Sequence, residues 1–258
     1  MDVEVEKKGK VYTVIINRPE VKNAIDYRTS VLLAEAFRDF DADDGLCAAV
    51  LWGAGGTFCA GADLKALAED PMQEAKRLNE DISADAPLGP TRMTLSKPVI
   101  AAISGYCVAG GLELAVWCDL RGAEEDAVLG IFERRFGVPL IDGGTQRLPR
   151  LIGMSHALDM ILTGRPVGAR EASSMGLVNR VVAKGKVREA AEDLAEQLCE
   201  FPQVCMRSDR EALYGGFDLE MGKALELEYR LGMRVLESGE TLSGASRFTK
   251  GSGKHGQF

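Results

Sequence analysis

Histidine is almost missing from this chain: 258 residues hold two, His156 and His255, far apart and without a ligand-spaced neighbour. That removes the common zinc ligand sets and leaves no well-placed base for a Ser-His-Asp or Cys-His mechanism. Cysteine occurs six times (Cys47, Cys59, Cys107, Cys118, Cys199, Cys205) but never as a C-x-x-C pair. Disulfide frameworks belong to small secreted chains, so these thiols are expected to be reduced core residues. No apolar run reaches the roughly 18–20 residues that span a bilayer. The opening Met-Asp-Val-Glu-Val-Glu carries no leader pattern, so a cytoplasmic protein with no membrane partner is expected. Positive charge is also short: 31 Lys+Arg against 39 Asp+Glu give a net charge of −8. The helix-patterned stretch 31–44 carries Glu35, Asp39, Asp41, Asp43 and Asp44, which argues against a nucleic-acid partner. Any chemistry is left to carboxylates and the backbone.

Hydrophobic residues make up 46% and charged residues 27%, enough to bury a sizeable core. Strand-like runs at 11–16, 47–52, 98–103 and 177–182 alternate with helical patterns. Asp26 is placed to cap a helix that carries Val31, Leu32, Phe37 and Phe40. After about residue 185 helical patterns follow one another at 187–200, 204–213, 219–237 and 241–250. The expected organisation is an α/β core over residues 1–185 followed by a helical region over 186–258. Residues 69–92, polar and holding Pro71, Pro87 and Pro90, read as the most loop-like stretch. Leu219, Leu225, Leu227, Leu231, Met233 and Leu236 form an apolar series suited either to core or to an intermolecular face.

Two glycine-rich turns each follow a strand. The first is Gly53-Ala-Gly-Gly-Thr-Phe-Cys-Ala-Gly-Ala-Asp63, ahead of a helical pattern at 64–68; the second is Ser104-Gly-Tyr-Cys-Val-Ala-Gly-Gly111, which runs into Leu112-Glu-Leu-Ala-Val-Trp-Cys118. Glycine lets a backbone approach a ligand closely, and a helix start leaves N–H groups unpaired. Two such turns on neighbouring strands can aim two N–H donors at one oxygen. Neither is a P-loop or a dinucleotide fingerprint, so no nucleotide cofactor is implied. Two acids lie among apolar neighbours, Glu113 and Glu133. Each reads either as structural or as held towards a site, and an ion pair with Arg134 or Arg135 is the plain expectation for Glu133.

Together these residues resemble the enoyl-CoA hydratase/isomerase (crotonase) superfamily, bacterial hydratases in particular. The resemblance is carried by Gly56-Thr-Phe-Cys-Ala-Gly-Ala-Asp-Leu-Lys65, by the run from Pro98 to Ala115 with Cys118-Asp119, and by Asn17-Arg18-Pro19 with Asn23-Ala24. Gly143-Gly-Thr-Gln-Arg-Leu148, Ile152-Gly153 and Gly176-Leu-Val-Asn-Arg-Val-Val182 complete it.

The resemblance implies a spiral of ββα turns with a C-terminal helical trimerisation region, assembled as a homotrimer or dimer of trimers. It implies an acyl-CoA substrate whose thioester oxygen rests on the N–H groups of Ala62 and Gly110. Ala24, Asp63, Leu64 and Lys65 would contact coenzyme A, which enters as part of the substrate, with no separate cofactor and no metal. Glu113 and Glu133 match the two catalytic glutamates of the hydratases. Glu113 is expected to activate water and Glu133 to protonate Cα. Ile141 and Asp142 stand where typical hydratases have Gly-Ala, next to the expected water; Ile141 replaces the glycine that helps hold it. A salt bridge to Arg134 or Arg135 would depress the pKa of Glu133. The resemblance also admits an enoyl-CoA or dienoyl-CoA double-bond isomerase of the same fold. Phe248 with Lys250 or Lys254 resembles residues that reach a neighbour's coenzyme A.

Overall fold

The computed structural model describes residues 1–251 and 253; Lys254 and His255 lie outside them. Two compact units divide the chain, Met1–Leu198 and Cys199–Phe258. The first opens with β1 (Val3–Lys8), β2 (Val11–Ile16), α1 (Tyr27–Ala42) and β3 (Ala48–Gly53). The Asp26 carboxylate caps α1 by accepting from the Thr29 amide at 2.8 Å. Then come α2 (Leu64–Glu69), α3 (Pro71–Ala75), β4 (Val99–Ile103), β5 (Tyr106–Val108), α4 (Gly110–Trp117), β6 (Leu120–Glu124) and β7 (Val128–Gly130). The unit closes with α5 (Gly144–Thr163), β8 (Val167–Gly168), α6 (Ala169–Ser174), β9 (Arg180–Val182) and most of α7 (Val187–Glu200).

The main sheet has the order β1-β2-β3-β4-β6-β9, with β1 antiparallel and the other pairings parallel. Strands β2, β3 and β4 are buried along almost every residue, as parallel strands covered on both faces must be. A second, three-stranded sheet pairs β5, β7 and β8. Residues 69–92 are more ordered than their composition suggests: Asp70 caps α3 through the Gln73 amide, and a 3-10 turn spans Pro90–Arg92.

The sheet order places the two glycine-rich turns side by side, because β3 and β4 are parallel neighbours and both chains leave at the same edge. Beyond the strands the turns zip together. The Phe58 amide donates to the Ser104 carbonyl (2.7 Å), Cys59 to Tyr106 (3.1 Å) and Val108 to Cys59 (3.1 Å), which sets Cys59 opposite Cys107. Ala62 and Gly110 each lie three residues further on.

Helix α4 is buried almost all round, which explains its unbroken apolar sequence. Its C-terminal carbonyls are met by the buried Arg121 guanidinium, whose Nη1 donates to Cys118 (2.6 Å) and Ala115 (3.3 Å). A cation there complements the helix dipole, whose positive end lies at Gly110.

The second unit holds α8 (Gln203–Gly216), α9 (Met221–Ser238) and α10 (Glu240–Thr249). The Glu240 carboxylate accepts from the amides of Val204 and Cys205 at the start of α8. Leu225, Tyr229, Leu236, Leu242 and Phe248 are exposed, whereas Leu231 is buried. No helix among the described residues is long and apolar enough to cross a membrane.

Candidate active site

Ala62 and Gly110 both border one cavity of about 400 Å³. Neither backbone amide has a protein acceptor among the described residues: around Ala62 the bridge to Ile25 uses the Gly61 carbonyl and the Asp63 amide, and Gly110 is the first residue of α4. The approach of the two turns depends on Gly61, where a Cβ would stand 2.7 Å from the Gly110 nitrogen and 2.9 Å from the Ala109 Cβ. Ala109 takes φ 54° and ψ −133°, a conformation unfavourable for any residue with a side chain. Its amide donates to the Gly130 carbonyl at 2.8 Å, which pins the strained residue and fixes the Ala109–Gly110 peptide at the cavity wall.

Glu113, in the first turn of α4, borders the same cavity. Its Oε1 accepts the amides of Gly144 (2.8 Å) and Asp142 (3.0 Å), contributed by the turn that opens α5. Glycine at 144 lets the Glu113 side chain come close, since a Cβ there would lie 3.0 Å from Glu113 Oε1 and Cγ. Burial pushes the Glu113 carboxyl up to about 8; the Asp142 and Glu133 charges add to the rise, and the two amides oppose it. Glu133 lies in a 3-10 turn, Phe132–Phe136, and is equally buried. Neither of its carboxyl oxygens has a hydrogen-bond partner among the described residues. Burial again is the main cause of its rise, to about 7, against its own backbone amide and Arg134.

The expected ion pair with Arg134 or Arg135 does not form. The guanidinium of Arg134 donates to the Ile161 carbonyl (3.1 Å), and that of Arg135 donates to Gly164 (2.9 Å) while stacking on Phe132. The pKa of Glu133 is therefore raised, not depressed. Successive residues of a 3-10 turn point about 120° apart, so sequence neighbours there need not meet.

The remaining candidates divide into three groups. Leu64, Ile141 and Asp142 border the cavity beside Ala62 and Gly110, with Ile141 half-exposed. The Asp142 side chain is buried, and its Oδ1 accepts from the Leu88 amide (2.9 Å) and the Thr91 hydroxyl (2.6 Å). Asp63 is occupied at home: Oδ1 caps α2 through the Ala66 amide, and Oδ2 pairs with Arg18 at 3.1 Å. Ala24 is buried, with its carbonyl accepting from Arg18, and Lys65 is largely exposed beside Glu69. Leu67, Leu78, Leu88, Phe132, Phe136 and Val138 complete an apolar wall. The sequence marks none of them, because they come from separate segments that meet only in the fold.

Two amides and one carboxyl without hydrogen-bond partners among the described residues, and one amide-held carboxyl, thus belong to residues lining one mainly apolar hollow. Such a site can bind a carbonyl oxygen and exchange protons at the adjoining carbons.

Residues 6–252 match the model of the enoyl-CoA hydratase/isomerase family. A probable enoyl-CoA hydratase of Rhizobium meliloti is 36% identical over 95% of this chain and 93% of its own. A carnitinyl-CoA dehydratase of Proteus mirabilis is 35% identical over 94% of this chain and 93% of its own. The crystal structure of an enoyl-CoA hydratase from Mycobacterium tuberculosis superposes with a TM-score of 0.88 at 33% identity, covering 96% of both chains.

Proposed function

The chain belongs to the enoyl-CoA hydratase/isomerase family, and on that premise we propose that it is an enoyl-CoA hydratase, adding water across the 2,3 double bond of an acyl-CoA thioester. The observation that carries this reading is the pair of acceptor-free amides, Ala62 and Gly110, bordering one cavity with two buried glutamates.

In this reading the thioester oxygen accepts both amides. As water adds at Cβ, negative charge develops on that oxygen, and the donors hold it more tightly than the ground-state carbonyl. Losing one such donor typically costs about 2.7–4 kcal/mol of barrier. The positive end of α4 adds to the same field.

Glu113 takes the proton of the water, and Glu133 gives one to Cα. Hydrogen bonds order these roles. Amides aimed at Glu113 Oε1 favour its charged form, and Glu133, with none, is the better neutral acid. In the free protein proton affinity runs the other way, about 8 for Glu113 over about 7 for Glu133. The donors decide because they persist when an acyl group displaces water, which further raises the carboxyl that lacks them. Leu64, Lys65 and Ala24 would contact coenzyme A, with no separate cofactor or metal required. We further propose a cytoplasmic homotrimer or dimer of trimers; the exposed Leu225, Tyr229 and Leu236 of α9 support assembly, and light scattering of the purified protein would measure its size.

The test is to follow the ultraviolet absorbance of the conjugated thioester with crotonyl-CoA and longer 2-enoyl-CoA substrates. Hydration removes that absorbance. No loss at any chain length overturns the hydratase reading, and migration of the double bond without loss of unsaturation identifies the isomerase instead.

A further inference from the structure

Asp142 is a third buried acid bordering the cavity, and its carboxylate is engaged by the protein itself. Its carboxylate Oδ1 receives the Leu88 amide at 2.9 Å and the Thr91 hydroxyl at 2.6 Å. Its own backbone amide donates to Glu113 Oε1 at 3.0 Å. Arg147 staples the same two segments, Nη1 to the Asp142 carbonyl (2.9 Å) and Nη2 to the Thr91 carbonyl (2.6 Å). Leu88 in turn packs on the oxyanion side: a Cβ at Gly110 would stand 2.6 Å from Leu88 Cδ1. One residue therefore links three things. Its main chain cradles Glu113, its side chain holds residues 88–91, and through Leu88 that segment lies against Gly110.

We propose that Asp142 is a positioning residue whose carboxylate clamps residues 88–91 to the turn that holds Glu113, fixing Glu113 relative to the amide of Gly110. It works as an acceptor of two hydrogen bonds and transfers no proton. This rests on the hydratase reading for its kinetic consequence, but not for the clamp itself.

Asp142→Asn keeps an oxygen at Oδ1 and discards the charge; Asp142→Ala discards both; Thr91→Val removes only the hydroxyl bond at nearly constant volume. Misplacing a catalytic group by about an ångström can cost about 10²-fold in rate. Asp142→Ala should lower kcat by about that factor, more than it raises KM. Loss of one ordinary hydrogen bond predicts a roughly three- to tenfold fall in kcat for Thr91→Val. Asp142→Asn should recover most of the loss. Hydrogen–deuterium exchange at the Leu88 amide reads the clamp without any substrate: protection should fall in Asp142→Ala and persist in Asp142→Asn. If Asp142→Ala fails to fold, Thr91→Val and Asp142→Asn still decide. An Asp142→Asn enzyme as inactive as Glu113→Gln overturns the proposal in favour of proton transfer, and wild-type kcat in Thr91→Val overturns it too. Wild-type protein that hydrates no enoyl-CoA defeats the functional reading alone; unchanged Leu88 exchange in Asp142→Ala defeats the clamp alone.

Discussion

The start of α4 and the 3-10 turn at Phe132–Phe136 each deliver one glutamate to the same cavity, and they hold it in opposite ways. Glu113 is anchored by two amides from a turn about thirty residues away, so its position and charge are supported by the backbone. The Glu133 carboxyl has no hydrogen-bond partner among the described residues, and its arginine neighbours turn to distant carbonyls. Burial raises both acids; the hydrogen bonds distinguish them. A pair made this way offers one carboxyl whose charge the backbone supports and one whose charge no such donor supports, a division suited to adding water across a double bond.

The comparison is broken most severely by removing either acid. Glu113→Gln and Glu133→Gln should each lower kcat by about 10²–10⁴-fold, measured as thioester absorbance loss. Next in size is Gly61→Ala, whose Cβ would push against the Gly110 amide. About 10²–10³-fold in kcat is expected, the cost of one misplaced oxyanion donor.

Stability sharpens the contrast. Both acids bind a proton more tightly in the folded chain, so their stabilising contribution is fullest below about pH 4.5 and is lost as pH rises through about 7 to 8. Glu133→Leu should therefore raise the melting temperature at pH 8–9, since it removes a buried charge that has no partner. Glu113→Leu strands the amides of Asp142 and Gly144, at about 1–3 kcal/mol for each unsatisfied group, and should gain less or lose. Equal shifts in the two variants would erase the distinction. The smallest effect is expected at Lys65, exposed beside Glu69: Lys65→Ala should raise KM a few-fold, in a salt-dependent way, without changing kcat.

The turns that frame this site were legible in the sequence, for local reasons. A glycine-rich turn and a helix start are short-range features, so both turns and the first-turn Glu113 stood out, and the Asp26 cap could be read three residues from its target; singling out Ala62 and Gly110 as donors took the family resemblance, position by position. What was hidden is long-range or too short for periodicity. The amides that cradle Glu113 lie 29 and 31 residues from it. β5, β7 and β8 have two or three residues each. In α5, Gly153, at φ 75° and ψ 161°, breaks the span Gly144–Thr163 into two helical segments, so no single periodicity runs through it. Adjacency in sequence misled at Arg134 and Arg135, because a 3-10 turn fans consecutive side chains apart.

The most direct measurement is isotopic. Wild-type protein turning over a 2-enoyl-CoA in H₂¹⁸O should place the heavy oxygen at C3, and in D₂O one deuterium at C2; Glu133→Gln should suppress both together. Deuterium exchange at carbon without any ¹⁸O in the product would contradict the account, leaving a cavity that moves protons but adds no water.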